Sequence, residues 1–224
     1  MDGKNKALVF TMGFTIENLV KAITSKGVRG DEQVVLLSAL TTDEFGKKRS
    51  EEALRFAIDY ISKVGLKYFI KYINVNTPFE TILSQIHEVL RGFDEVEIYI
   101  IGGMRILGIA SYYYSILISP FKKIKAVCFT ENMENSYELL TYVPRAPEGK
   151  EIIELMSELK EPREIKEIAS NLNKTVSTVS KQLSKISDLV DCVDSRPKRC
   201  KLNELGRILL DEMTAAEKKG RDHV

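Results

Sequence analysis

Apolar residues along the first two thirds of the chain alternate between two spacings. Short β-rich apolar runs occupy residues 7–10, 34–39, 68–75, 96–101, 126–130 and 137–143. Between the earlier runs, apolar residues recur at helical spacing, as in Leu54, Ala57, Ile58 and Ile61. This alternation predicts an α/β fold with a Rossmann-like, mostly parallel six-stranded sheet. No helical segment separates the last two runs, so we expect them to form a hairpin at the sheet edge.

The pattern changes after residues 144–149, where two prolines and a glycine predict a linker. We therefore assign residues 1–144 to the first domain, 145–150 to the linker and 151–224 to a second domain. Apolar spacing in the second domain predicts a helix from residue 152, another over 163–172, and a third over 174–187 capped by Asn173. Two β-like runs at 189–193 and 199–202, with a turn between them, precede a last helix. This order is typical of a winged helix-turn-helix.

The third helix of the second domain carries two stripes. Val176, Val179, Leu183 and Ile186 predict the side that faces the core, and a second stripe carries cationic and hydroxyl side chains. Such a helix suits the major groove of DNA, although an ordinary solvated surface explains the same pattern. The predicted turn is also rich in cations, which suits contact with phosphates. The candidate DNA-binding residues are Lys174, Thr175, Ser177, Thr178, Lys181, Gln182 and Lys185 on the helix and Arg196, Lys198, Arg199 and Lys201 on the wing.

The helix-turn-helix region is similar to a known group of regulators. Residues 168–173 followed by 176–183 resemble the signature of winged-helix regulators of the MarR and ArsR type, with Ala169 as the small residue at the helix crossing. The resemblance covers about residues 150–215. It implies that this domain binds double-stranded DNA.

The net charge of the 224-residue chain is only +1, and its 44% hydrophobic and 29% charged residues are ordinary for a globular protein. An evenly spread charge of this size argues against a nucleic-acid-binding protein. The charge is not evenly spread, however. Residues 174–201 carry seven Lys or Arg against three Asp, and residues 148–167 carry seven Glu against four Lys or Arg. The neutral total therefore conceals a basic segment beside an acidic one.

Two glycine-containing turns follow the first and fourth predicted strands. For a sheet of order 3-2-1-4-5-6, these strands flank the point where strand order reverses and where ligands of open α/β sheets bind. Free helix N–H groups and an arginine there predict a site for an anion or a nucleotide phosphate. A tight turn without a ligand remains the alternative, because neither turn is a GxGxxG or Walker sequence. The candidates are Thr11, Met12, Gly13 and Phe14, then Gly102, Gly103, Met104 and Arg105, and, after the second strand, Ser38, Thr41 and Thr42.

The pairing of these two turns with a winged helix resembles the archaeal CRISPR-associated transcriptional regulators, whose N-terminal half is a CARF domain. The resemblance covers essentially the whole chain. It implies a homodimer in which the CARF domains share a two-fold pocket, and it implies no cofactor. The implied effector is a cyclic oligoadenylate, most often cyclic tetra-adenylate, and the implied role is regulation of CRISPR-cas genes. A ring nuclease that cleaves this ligand, and a metabolite-sensing repressor unrelated to CRISPR, remain alternatives.

The segment after Arg105 carries no charge on any face over residues 106–118. A helix that is apolar all round is either buried in its own domain or placed at an interface. Both interpretations stay open from the sequence, and the second would place Arg105 near the axis of a dimer.

Cysteine and histidine content bears on chemistry and compartment. The chain has three cysteines and two histidines without metal-ligand spacing, so we expect neither a metal site nor a Cys–His or Ser–His catalytic pair. The first apolar stretch is too short for a signal peptide, and we expect a cytoplasmic protein without a membrane span. Across the predicted wing turn, Cys192 and Cys200 lie opposite each other. Free thiols are usual in a reducing cytosol, and a disulfide is the alternative.

Overall fold

The computed structural model describes residues 5–27, 32–40, 43–130, 132, 134–143, 149–193 and 197–221, with side chains as far as Thr214. The chain divides into two compact units, Met1–Val143 and Pro144–Val224. Most of the predicted linker, like Thr41, Thr42 and Arg196, lies outside the described residues.

The first unit is built on a six-stranded sheet. Its strands run in the order β3-β2-β1-β4-β5-β6, and all neighbours are parallel except the antiparallel pair β5 and β6. The predicted α/β fold and edge hairpin are therefore confirmed. The elements are β1 (Lys6–Met12), α1 (Glu17–Lys26), β2 (Glu32–Ala39), α2 (Glu44–Lys63), β3 (Lys67–Ile73), α3 (Phe79–Leu90), β4 (Glu95–Ile100), α4 (Arg105–Ile118), β5 (Lys123–Phe129) and β6 (Ser136–Leu139).

Helices cover both faces of this sheet. Along β1, Ala7 and Val9 belong to one apolar cluster, together with buried residues of α3 and α4. Leu8 and Phe10 point to the opposite face and belong to a second cluster, with residues of α1 and α2. Alternate strand residues face opposite sides, so a strand covered on both sides is apolar without interruption. This arrangement explains why β1 and β2 appear in the sequence as continuous apolar runs.

Charged side chains close the amino end of the sheet. Lys6 pairs with Glu32 at 2.9 Å and with Glu97 at 2.7 Å, and Lys26 pairs with Glu32 at 2.7 Å. The Tyr99 hydroxyl donates to Glu97 at 2.8 Å. Burial opposes ionisation of Glu97, but the hydrogen bonds from Lys6 and Tyr99 and the nearby lysine charges hold its pKa below the ordinary value. Every member of this cluster, which we call the amino-end charge network, therefore has a partner.

In its described residues, the second unit contains four α-helices and a small sheet. Its elements are α5 (Lys150–Glu158), β7 (Arg163–Glu164), α6 (Ile165–Asn171), α7 (Val176–Lys185), a 3-10 turn (Ser187–Leu189), β8 (Val190–Val193), β9 (Arg199–Leu202) and α8 (Glu204–Arg221). The strands are antiparallel in the order β7-β9-β8. Helices α6 and α7 form the helix-turn-helix, and β8 and β9 form the wing.

Two boundaries in the second unit differ from the sequence prediction. Arg163 and Glu164 do not begin a helix; they form β7, whose partners are Cys200 and Arg199 of β9. The N-cap of α7 is Thr175 rather than Asn173, because its extended backbone lets the Oγ1 atom accept the Thr178 N–H. Asn173 instead has a positive φ of 52°.

The wing is covalently closed. Cys192 and Cys200 are opposite each other in the register of β8 and β9, with Cα atoms 4.1 Å apart, and they form a disulfide. The structure thus contains the disulfide, which was the alternative to two free thiols. Cys200 is buried in the winged-helix core, whereas Cys192 lies on the surface. The disulfide therefore attaches the outer wing strand to the core of the unit.

Candidate functional site

A cleft of about 530 Å³ opens at the carboxyl end of the sheet in the first unit. It lies beyond β1, β2 and β4, where the order of strands reverses, as the rule for open α/β sheets predicts. Seven of the predicted ligand-binding residues line it: Met12, Gly13, Phe14, Ser38, Gly103, Met104 and Arg105.

The two glycine turns approach each other closely at the floor of the cleft. A Cβ atom added to Gly13 would lie 2.8 Å from the backbone nitrogen of Gly103, and one added to Gly103 would collide with the Met12 carbonyl. Gly103 also has a φ of 89°, which side-chain-bearing residues rarely adopt. These glycines therefore let two turns pack backbone against backbone. Gly102 packs against Gly13 in the same way but does not line the cleft.

Thr11 has a structural role instead of the predicted ligand contact. Its side chain is fully buried, and its hydroxyl accepts the Ile101 N–H at 3.3 Å. The same peptide segment is held from the other side by the Asn18 side-chain amide, which donates to the Ile101 carbonyl at 2.8 Å. The sequence pattern placed Thr11 in the turn after β1, but it is the sixth residue of this strand, which is buried on both faces. Thr11 and Asn18 together fix the start of the second glycine turn.

Helix α4 begins at the edge of the cleft with exposed hydrogen-bond donors. Met104 is its N-cap residue, and no side chain caps the first turn. Arg105 is the first helical residue, it is exposed, and no described side chain forms an ion pair with it. Uncapped N–H groups, the helix dipole and a guanidinium together favour an anion. This end of the cleft can therefore bind a phosphate group.

The opposite side of the cleft is formed by residues that sequence reasoning missed. Asp43 caps α2 by accepting from the N–H groups of Phe45 at 3.1 Å and Gly46 at 2.6 Å. The hydroxyls of Ser38 and Ser50 lie 3.1 Å apart. Because Asp43 already satisfies the N-terminus of α2, an anion is favoured at α4 and not at α2. The further lining residues that were not predicted are Ala39, Leu40, Asp43, Gly46, Ser50 and Asn76.

Helix α7 in the second unit has a polar exposed surface. Ser177, Thr178, Lys181 and Lys185 are all exposed, and Thr175 caps the helix. Val176 is also 45% exposed, so it does not join the core as predicted, whereas Val179, Leu183 and Ile186 do. An exposed apolar side chain among hydroxyls and lysines is compatible with contact to thymine methyl groups.

Two of the predicted DNA contacts are instead engaged inside the unit. Gln182 is only 8% exposed and donates to Glu151 of α5 at 3.0 Å. Lys174 pairs with the same carboxylate at 3.2 Å and lies 3.4 Å from the Gln182 amide oxygen. Both side chains therefore attach α7 to α5. The sequence placed them on the outer stripe because Glu151, their shared partner, is more than twenty residues away along the chain.

The wing presents the remaining cations. On β9, Arg199 and Lys201 are exposed, and they alternate with the buried Cys200 and Leu202. Arg199 lies 3.4 Å from Glu164 of β7. Lys198 precedes the strand and is exposed. The strand period therefore places the two charges of β9 on one side of the strand, while Lys181 and Lys185 are exposed on α7.

Comparison with known families assigns both units. Residues 6–139 match the model of the Csa3 CRISPR-associated Rossmann-like domain. The chain belongs to this family. Residues 149–189, which contain α5, α6 and α7, match the bacterial regulatory proteins of the arsR family. No curated protein matches the chain.

The two matches together describe a CRISPR-associated DNA-binding regulator. The Csa3 domain supplies the cleft at the switch point of the sheet, and the arsR-type region supplies the helix-turn-helix. In the described part of the chain, no helix is both long and apolar enough to cross a membrane.

Helix α4 of the Csa3 domain carries an exposed apolar surface. Ile109, Tyr113 and Leu117 of α4 are each at least 50% exposed and follow Arg105 at intervals of four residues. The opposite side of α4 is buried against the sheet, with Leu107, Ala110 and Tyr114 in the core. One side of the helix is therefore core, as the first interpretation predicts, and the other is an exposed apolar stripe, which we call the α4 stripe; the interface interpretation stays a prediction.

Proposed function

We propose that the protein is a ligand-responsive transcriptional regulator of CRISPR-cas genes that senses a cyclic oligoadenylate, with cyclic tetra-adenylate as the effector. The observation that carries this proposal is the phosphate-binding end of the cleft, where Arg105 and the uncapped turn of α4 stand beside two glycine turns. A ligand with several phosphodiesters suits a site that offers backbone N–H groups and a guanidinium.

The active form in this proposal is a homodimer formed through the α4 stripe. An exposed row of Ile109, Tyr113 and Leu117 suits a self-complementary contact about a two-fold axis. Because Arg105 begins the same stripe, pairing would bring two clefts together into one symmetric pocket. A cyclic ligand with two-fold symmetry would then contact both copies equally.

The DNA-binding surface in this proposal consists of α7 and the wing. Ser177, Thr178 and Lys181 would enter the major groove, and the wing cations would contact phosphates. Ligand binding would change operator affinity, and DNA would change ligand affinity by the same factor, because coupling between two sites is reciprocal.

Two measurements on the intact protein test the proposal. Calorimetric titration should find one cyclic tetra-adenylate per two chains. Electrophoretic shift with DNA from upstream of CRISPR-associated genes should give an affinity that changes when the ligand is added. Equal operator affinity with and without the ligand would disprove the switch. Chromatography of the ligand after incubation separates sensing from cleavage, since linear product would favour the ring-nuclease alternative.

A further inference from the structure

An arginine and two phenylalanines form a stacked group at the mouth of the cleft. The Arg49 guanidinium carbon lies 4.9 Å from the centre of the Phe14 ring and 5.7 Å from that of Phe45. The two rings belong to different elements, since Phe14 is in the turn after β1 and Phe45 is in the first turn of α2. Arg49 therefore connects the two segments that border the cleft.

Both phenylalanine rings are too exposed to be part of the hydrophobic core. Phe14 is 48% exposed and Phe45 is 70% exposed. Folding gains little from aromatic rings that remain in water, and a cation over such a ring fixes its orientation. A planar guanidinium suits this stacking better than an ammonium group does.

Phe14 lines two cavities at once. It borders the main cleft and also a smaller cavity of about 200 Å³ that contains Arg49, Glu17 and Glu52. Arg49 lines only the smaller cavity, so the Phe14 ring forms part of the wall between the guanidinium and the cleft. No described side chain forms an ion pair with Arg49. Among the described residues, its guanidinium lies over the rings of Phe14 and Phe45.

We infer that Phe14 is a stacking platform for a nucleobase of the ligand and that Arg49 is the residue that positions it. This inference rests on the proposed function, because it requires a nucleotide in the cleft. Arg105 and the glycine turns bind the phosphates, and Phe14 contacts the base. A larger base gains more from stacking, so the platform makes the pocket prefer purine over pyrimidine rings.

The test compares two ligands that carry the same backbone charge, cyclic tetra-adenylate and cyclic tetra-uridylate. Calorimetry on the full-length protein should show that the wild type prefers the adenylate ring by about tenfold or more, as one stacked base contributes. Arg49→Ala and Phe14→Leu should each reduce this preference to about threefold or less. Arg49→Lys should retain most of it, because an ammonium group can still lie over the ring.

A matched control exists on the same helix. Arg55 lies 5.3 Å over the ring of Phe56, and it lines neither cavity. Arg55→Ala should leave the ratio of the two affinities unchanged, and melting temperatures establish that all variants are folded.

The outcomes separate this inference from the proposed function. If neither cyclic ligand binds the wild-type protein, the proposed function fails and this inference fails with it. If cyclic tetra-adenylate binds but Arg49→Ala keeps the preference, or lowers both affinities equally, only the stacking role is overturned. Equal affinity of the wild type for the two cyclic ligands would also overturn only the stacking role.

Discussion

The two ends of the central sheet differ in whether their charged side chains are paired. At the amino end, Lys6 and Lys26 are paired with Glu32 and Glu97, and all four side chains are largely buried. At the carboxyl end, Arg105 is exposed and forms no ion pair with any described side chain. Both ends belong to the same strands, so the difference does not come from the fold. Paired charges close one end, and an unpaired cation leaves the other available for a ligand.

The winged-helix unit repeats this contrast on one helix. Lys174, just before α7, is paired with Glu151 and only 17% exposed, whereas Lys181 and Lys185 are exposed with no ion pair in the described part of the unit. Counting cations in the sequence therefore overestimates the DNA-binding surface. The useful distinction is between cations that have an internal partner and those that do not.

The strongest test of the contrast removes a carboxylate from the amino-end charge network. Glu97→Ala should lower the free energy of unfolding by about 3 kcal/mol, because it leaves two partly buried lysines with one carboxylate between them. Ligand affinity should not change. Urea unfolding measures the first quantity and calorimetry the second.

A surface pair supplies the control for Glu97. Glu138 lies 2.6 Å from Lys125, but both side chains are more than 40% exposed. Glu138→Ala should therefore change stability by less than about 0.5 kcal/mol. A similar loss in both variants would contradict the special role of the buried network.

The reverse experiment removes the unpaired cation. Arg105→Ala should weaken cyclic tetra-adenylate binding by about 2 kcal/mol, or roughly thirtyfold, since a charge-assisted hydrogen bond is lost. Stability should remain within about 0.5 kcal/mol of the wild type, because the side chain is exposed. Arg91→Ala, an exposed arginine at the C-cap of α3, should change neither quantity. An unchanged ligand affinity for Arg105→Ala would place the phosphate elsewhere.

The two kinds of lysine in the winged-helix unit should separate in a salt titration. Lys181→Ala should reduce the slope of log affinity against log salt by about one, because one phosphate contact is lost. Lys174→Ala should leave the slope unchanged and lower stability by about 0.5–1 kcal/mol. Equal slopes for the two variants would show that pairing with Glu151 does not remove Lys174 from the DNA surface.

The smallest predicted effect is the loss of stability at acidic pH. The folded pKa of Glu97 is below its ordinary value of 4.5, so its contribution to stability is complete above that pH and is lost as the pH falls through the folded pKa. Between pH 7 and pH 3.5, the wild type should lose more stability than Glu97→Gln does. Urea midpoints at the two pH values check this, and Glu138→Gln should behave like the wild type.

The sequence predicted the parts of the fold that depend on local periodicity. Strand-helix alternation was sufficient for the sheet, and the strand order then placed the two glycine turns at one end. The extent of β6 was overestimated, because Leu140–Val143 continue its apolar pattern although Tyr142 and Val143 are exposed and lie beyond the last paired residue, Leu139.

The parts that the sequence did not predict depend on contacts between distant elements. Asp43, Ser50 and Asn76 reach the cleft only because the first half of α2 and the segment after β3 border it together with the turn after β1. The role of Arg49 likewise requires Phe14, which lies 35 positions earlier in the chain. Asp43 gave the single local signal, since an aspartate before a helix is a common N-cap, but that signal indicates a helix start and not a binding site.

The closed wing has a practical consequence for limited proteolysis. The bond after Lys198 lies between Cys192 and Cys200, so a protease that cuts there leaves two fragments joined through sulfur. The nicked chain should migrate as one band under non-reducing conditions and as two after a thiol is added. Wing cleavage is therefore visible only in a reduced sample, and the same comparison reports directly what fraction of the protein in a cell extract is oxidised.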